Sequence, residues 1–332
     1  MTGETGGQPT PERGGPAVGH APASGEAPGA FPGVAMDPSD ARFVLLGGAV
    51  DFAGLFPPAA LSMQDAVARY AEYLAGADRW ALGRFVVPAT SLDAFADAAT
   101  PHLAPGGPPW SLSVLFGADA AADLSRVEAL HTRLAGRVRA DAFEVRAGSP
   151  EAVERLAGTL PKGPDVFVEI PLADDPAPLV RAIGRAALCA KARTGGVSAD
   201  AFPAAGALAD FLEACVSAGV RFKLTAGLHH PLRGSYPLTY APDSPRATMY
   251  GYLNALLAVA LLQQGGADRA EVLAALQESD PAALGASGGA LVWRGRTFDA
   301  RALGAARAAG MTGFGSCSFR EPVDELALLR LS

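Results

Sequence analysis

The sequence predicts a (β/α)8 barrel, the TIM-barrel class of α/β fold, on three observations. From residue 42 onward one pattern recurs eight times: a short β-rich run, a turn carrying Gly or Pro, and an Ala/Leu-rich segment of helical length. Strands separated by helices are what a parallel sheet needs, because a parallel pair can only be joined by a crossover. Two of the runs end on Lys191 and Lys223, which lie 223 − 191 = 32 residues apart, about one strand–helix–strand repeat. An open doubly wound sheet is the competing arrangement; the even spacing of the first seven strands favours closure.

Each element follows from its local chemistry, with Pro and Gly as punctuation. Residues 44–52 read as the first strand, leading into AGLFPPAAL, with a helix over 63–74. Strand 84–87 stops at Pro88 before helix 92–99, and strand 112–116 stops at Gly117 before helix 121–134. Strand 142–145 ends at Arg146 before helix 150–160, and strand 166–170 ends at Pro171 before helix 177–186. The sixth strand, 187–190, runs into Lys191 and a TGG turn. The helix 204–218 follows, then the seventh strand, 220–224, which carries Lys223. The eighth is TGFGSCS at 312–318, with its helix over 322–331. Between the seventh and eighth strands lies a long insertion, 228–310, holding SYPLTYAPDSP, helical runs at 250–263 and 270–278, and ALVWRGRTFD. Insertions of this size at the active face form lids or homo-oligomer contacts.

Residues 1–38 are Gly, Pro, Ala and polar side chains, too poor in large apolar groups to offset ordering entropy, and read as a disordered tail. The tail lacks the basic start and apolar core of a secretory signal, so a cytoplasmic location is expected. Residues 39–332 then form one barrel domain. Of 332 residues 49% are hydrophobic, and the mean hydropathy is +0.19, enough to bury a sizeable core. A net charge of −7 leaves no basic stripe for phosphates, which argues against nucleic acid as a partner, and no apolar run is long enough to span a membrane. Three cysteines without CxxC spacing (Cys189, Cys215 and Cys317) suggest neither a disulfide framework nor structural zinc. Cys317 reads as a small buried thiol, since nothing in the sequence marks it as activated.

The lysines carry the functional argument. Of 27 basic residues only Lys162, Lys191 and Lys223 are lysines, so positive charge is almost always supplied by Arg. A retained lysine in such a background points to a need for an amine, which can lose its proton and attack a carbonyl as a guanidinium cannot. In a barrel the chemistry gathers at the C-terminal ends of the strands. There the sequence places Lys191, Lys223, Glu144, Glu169 and Asp51 as candidate catalytic groups, the carboxylates moving protons. Glu144 and Glu169 are equally readable as structural ion-pair partners of Lys191 and Arg193. Arg146, Arg193, Thr194, Gly195, Thr225, His229, His230, Arg233, Ser316 and Ser318 are candidates for holding substrate, including an anionic group on it. The rival assignment is a divalent metal on His229, His230 and Glu169 in a hydrolase or isomerase; a turn at Pro231 is then required, because adjacent strand side chains diverge. A non-catalytic binding barrel is the third alternative.

KARTGG and FKLTAG together resemble the site of class I aldolases of the deoxyribose-phosphate aldolase type, in which K-T-S-T-G ends strand six and K-A-S-G-G ends strand seven. Lys191, Thr194 and Gly195 match the first motif; Lys223, Ala226 and Gly227 align loosely with the second, and Asp51 in VDFAGLFPPAA takes the place of the acidic residue in that family's I-D-H-T-x-L phrase. The resemblance implies a Schiff base on the first lysine, a second lysine that lowers its pKa, and no cofactor. GLHHPLR replaces the family's Gly-rich GGIR phosphate turn. From residue 50 onward the chain also resembles a family of uncharacterised bacterial proteins carrying DxAGLFPPA, KxRTGG, FKxTAGLHHP and GSCSFxEP. The expectation is a Schiff-base lyase acting on a small oxygenated carbonyl compound, with the roles of the two lysines open to exchange.

Overall fold

In the computed structural model, which describes residues 1–3, 41–287 and 289–329, the eight expected strands close into a parallel barrel. They are β1 (Val50–Phe52), β2 (Leu82–Pro88), β3 (Trp110–Leu115), β4 (Val138–Arg146), β5 (Asp165–Glu169), β6 (Cys189–Arg193), β7 (Phe222–Thr225) and, after five short strands, β13 (Met311–Ser316). The short strands form a hairpin, β8 (Gly234–Pro237) with β9 (Arg246–Met249), and a three-stranded antiparallel sheet, β10 (Leu284–Ser287), β11 (Ala290–Trp293) and β12 (Arg296–Phe298). β13 pairs with both β7 and β1, which closes the ring. The tail expected over 1–38 lies, apart from its first three residues, outside the described residues.

The first strand is shorter than the sequence reading. Ala41–Leu46 is a helix, α1, and only Val50–Phe52 is extended. Short apolar runs do not separate helix from strand by periodicity. Here a Gly pair decides: the Gly47 N–H donates to the Phe43 carbonyl, and Gly48 adopts φ +60°, a left-handed stop that favours glycine. The eighth strand likewise ends at Ser316 rather than 318.

Helices α2 (Met63–Ala75), α3 (Leu92–Ala99), α4 (Ala120–Leu134), α5 (Pro150–Thr159), α6 (Ala177–Arg185) and α7 (Ala205–Ser217) follow strands one to six, each packed beside the next. Three of them start at short polar side chains that accept from backbone N–H groups: Ser62 from Asp65 at α2, Asp119 from Ala122 at α4, Ser149 from Ala152 at α5. Segment 228–310 resolves into parts. α8 (Tyr252–Gln264) is apolar on all sides because it is enclosed by α7, α9 (Arg269–Gln277) and α10 (Ala300–Ala308), and it stands in the ring where the helix after a seventh strand belongs. α9 packs on α7 and α8, the β10–β12 sheet meets α10 through β12, and α10 packs against α8, α1 and β13. α11 (Arg320–Leu328) follows β13.

Period-two alternation decides what the barrel holds. On β6, Ala190 and Ala192 join the core under the helices, while Cys189, between them and the barrel axis, packs with Ala142 and Phe167. Lys191 takes the next inward step, and β5 and β7 place Glu169 and Lys223 beside it in register. Below this level Arg84 of β2 bonds Asp141 (2.8 Å) and Asp165 (3.0 Å) and lies over the Phe167 ring, a charged but fully paired lower layer. Among the described residues no helix is long and apolar enough to cross a membrane.

Candidate active site

Five ionisable side chains meet inside the upper barrel. Lys191 Nζ lies 2.5 Å from Glu144 Oε2 and 2.6 Å from Glu169 Oε2. Lys223 Nζ bonds the other Glu144 oxygen at 2.8 Å and the Asp51 carboxylate. Glu144 therefore bridges the two amines, and its Oε1 also accepts from the Ser113 hydroxyl at 2.7 Å. Asp51 is held from the other side by the Arg84 backbone N–H at 2.7 Å. Lys191 and Lys223 are 3% and 1% exposed, so the charges of this cluster are balanced chiefly by its own side chains. Such charges persist in a dry interior only when paired and hydrogen-bonded, which this set achieves.

The electrostatics differ from the expectation of two ammonium groups facing each other. Burial alone would lower the pKa of Lys223, but the charges of Asp51 and Glu144 outweigh it and raise the pKa above the usual lysine value. Burial alone would raise Glu144; Lys223 and Lys191 overcome it and hold the carboxyl well below the usual range. The two anions beside Lys223 therefore outweigh its burial, and Lys223 stays an ammonium.

Above the cluster opens a cavity of about 890 Å³. Lys191, Glu144 and Glu169 line it; Lys223 and Asp51 do not, and lie beneath. Of the candidate binding residues, Arg146, Arg193, Thr225, His229 and His230 reach its wall. Arg146 is largely in solvent at the rim, 3.4 Å from Glu169. The others support the wall from behind. Thr194 is buried and donates to the Ala226 carbonyl at 2.7 Å, tying the turn after β6 to the turn after β7. Gly195 abuts the Phe202 ring, and Gly227, at φ +74°, faces the same ring and the Gly195 Cα, so a side chain on either would collide. The Arg233 N–H is bound to Asn254 at 2.7 Å, away from the cavity. Ser316 Oγ lies 3.2 Å from His229 Nδ1, and Ser318 Oγ accepts from the Glu321 N–H at the start of α11.

The alternative metal ligands are not brought together. His229 Nδ1 is 3.0 Å from Glu321, whereas His230 Nδ1 is 2.9 Å from Glu325 and its ring stacks on Tyr236. Glu169 is engaged with Lys191, and the described residues contain no cluster of three or more His, Cys, Asp or Glu side chains that could hold a metal ion.

Sequence reasoning missed three groups on or beside this cavity. Ser113, hidden in the alternation of SLSVLF, is an inward polar residue on β3. Tyr240, in the β8–β9 hairpin, sets its hydroxyl 3.6 Å from Cys317 Sγ. Glu321 is the second residue of the last helix, where the SFREP phrase carries the only legible hint. No family model, curated protein or solved structure matches the chain, so its site is defined by its own geometry.

Proposed function

We propose that the protein is a Schiff-base-forming lyase of the class I aldolase kind, acting on a small oxygenated carbonyl compound through Lys191. One observation carries the choice of lysine: Lys191 opens onto the cavity between two carboxylates, while Lys223 is sealed beneath it by Asp51 and Glu144. The proton that Lys191 must lose has acceptors at 2.5 and 2.6 Å, Glu144 and Glu169. The free amine adds to the carbonyl carbon; a proton returned by a carboxyl group lets the carbinolamine hydroxyl leave as water as the C–O bond breaks, and the iminium then draws electrons from an adjacent C–C bond. Lys223 supplies fixed positive charge beneath Glu144 and keeps that carboxylate ionised, so the amine's proton goes to Glu169, at 2.6 Å on the cavity side. Arg146 and Arg193 at the rim suit a carboxylate or another anionic group on the substrate.

Borohydride trapping tests the reading. The protein is incubated with a panel of small aldehydes, ketones and keto acids, then reduced, digested and weighed. The expected product is a reduced adduct on Lys191, absent in Lys191→Arg, which keeps the charge but not the titratable amine. An adduct on Lys223 alone, or none with a panel that labels a known class I aldolase, would overturn it.

A further inference from the structure

On the cavity wall there is a second set of groups that the Schiff-base reading does not use. Cys317 lies just past the end of β13, buried but lining the cavity. Its Sγ is 3.9 Å from both ring nitrogens of His229, within reach of a hydrogen bond to sulfur. His229 follows β7, and its Nδ1 is turned to Glu321 of α11 at 3.0 Å and to Ser316 Oγ at 3.2 Å, which leaves Nε2 for the thiol. The Tyr240 hydroxyl, from the β8–β9 hairpin, sits 3.6 Å from the same sulfur. Three separate elements thus converge on one sulfur as nucleophile, proton partner and orienting carboxylate, the arrangement an activated nucleophile requires. His229 is 8% exposed, and its ring is held by Glu321 in an orientation that free rotation would lose. The other two thiols offer a contrast. Cys189 and Cys215 are buried away from the cavity, and burial pushes the first up to about 11 and the second well above the ordinary thiol value.

We propose that Cys317, with His229 as its proton partner and Glu321 as a positioning residue, is a second nucleophilic site of the cavity, one that adds reversibly to small aldehydes. In this step a C–S bond forms between Sγ and the carbonyl carbon, and the C=O π pair moves to oxygen. The proton shared between Sγ and His229 Nε2 passes to that oxygen, giving a hemithioacetal with no leaving group and no change of oxidation state. The proposal does not depend on an imine at Lys191: the two nucleophiles sit on different strands around one cavity, and either can hold a carbonyl compound alone.

The test is the rate of native-state alkylation by limiting iodoacetamide, read residue by residue by mass spectrometry; here Sγ bonds the methylene carbon and iodide leaves. Cys317 is expected to label while Cys189 and Cys215 stay unlabelled. His229→Ala should slow Cys317 by at least about tenfold, because the thiolate fraction gained from a proton partner is only partly offset by lower intrinsic nucleophilicity. Added imidazole, filling the space left by the ring, should restore the rate, which a merely structural role would not permit. Should His229→Ala fail to fold, Glu321→Gln serves in its place, with an expected rate between those of a partnered and an unpartnered thiol. Equal labelling in wild type and variants, or a loss that imidazole does not repair, would overturn the assignment. Glycolaldehyde in excess should protect Cys317 in wild type and in Lys191→Arg. Protection that vanishes with the lysine would overturn the sulfur adduct. Borohydride trapping on Lys191 in Cys317→Ser reads the imine independently, so failure of one site is not failure of the other.

Discussion

Glu144 is where the two lysines and the one carboxylate they share can be taken apart. It accepts from Lys191, Lys223 and Ser113 at once, at 4% exposure. Neutralising it in Glu144→Gln keeps the shape but leaves two buried ammonium groups with less anionic charge than they were built around. Breaking a buried pair in this way costs about 3–5 kcal/mol, much of it the unpaired partner's desolvation. Ser113→Ala, which removes one neutral donor from the same carboxylate, should cost only about 1 kcal/mol. Urea unfolding of both variants checks the ranking; a Glu144→Gln variant no less stable than Ser113→Ala would mean that the amines find other partners or shed their protons. The same geometry explains why residue types alone did not give the charge states. Lysine at two adjacent strand ends is readable, but which carboxylate stands between them depends on Glu144 and Phe167 being paired across β4 and β5, and on Glu169 and Lys191 being paired across β5 and β6.

At the scale of elements, the site rests on the two turns that leave β6 and β7. Thr194 ties them through the Ala226 carbonyl, and Gly195 and Gly227 let both pass under Phe202. Gly195→Ala would drive a methyl group into that ring. Since Phe202 sits over both turns, the expected result is a loss of about 1–3 kcal/mol from overpacking together with weaker carbonyl adduct formation, because Arg193 and Thr225 flank the displaced backbone. A variant with wild-type trapping and wild-type thermal stability would show that Phe202 moves aside freely. The elements were largely legible in the sequence, since β-rich runs, Pro and Gly stops and Ala/Leu helices are local signals. The exceptions have local reasons too: ARFVLL carries no period that separates helix from strand, and α8, apolar on every face, reads as an insertion until α9 and α10 are seen to cover it. Positions at the ends of strands were readable through the barrel rule. Contacts from later elements, such as Glu321 on α11 and Tyr240 on the hairpin, were not, because they arise from docking and not from spacing.

For the whole molecule these pairings set a pH window. Glu144 is held below its ordinary value of 4.5, so its contribution to stability is present above that pH and is lost as acid protonates it in the folded state. Lys223 is raised above 10.5, so its contribution is present below that pH and fades only in strong alkali. His229 lies between. Burial alone would lower the imidazole from 6.5, but hydrogen bonding with Cys317 and Glu321 outweighs burial and lifts it to about 10. The folded protein therefore holds a proton at His229 between pH 6.5 and about 10 that the unfolded chain has released. Stability must then fall with rising pH across that interval, with a slope of up to about 1.4 kcal/mol per pH unit for one proton. Below pH 6.5 both states are protonated at this site and its contribution is complete. Maximal stability is thus expected on the acid side of neutrality, between the Glu144 and His229 limits. Urea unfolding at pH 5.5, 7, 8.5 and 9.5 measures the curve, and His229→Gln, which cannot titrate, should flatten its alkaline limb while leaving the acid limb set by Glu144. A wild-type curve level from pH 6.5 to 9.5, or an alkaline slope unchanged in His229→Gln, would show that the imidazole is not held as a cation beside Glu321.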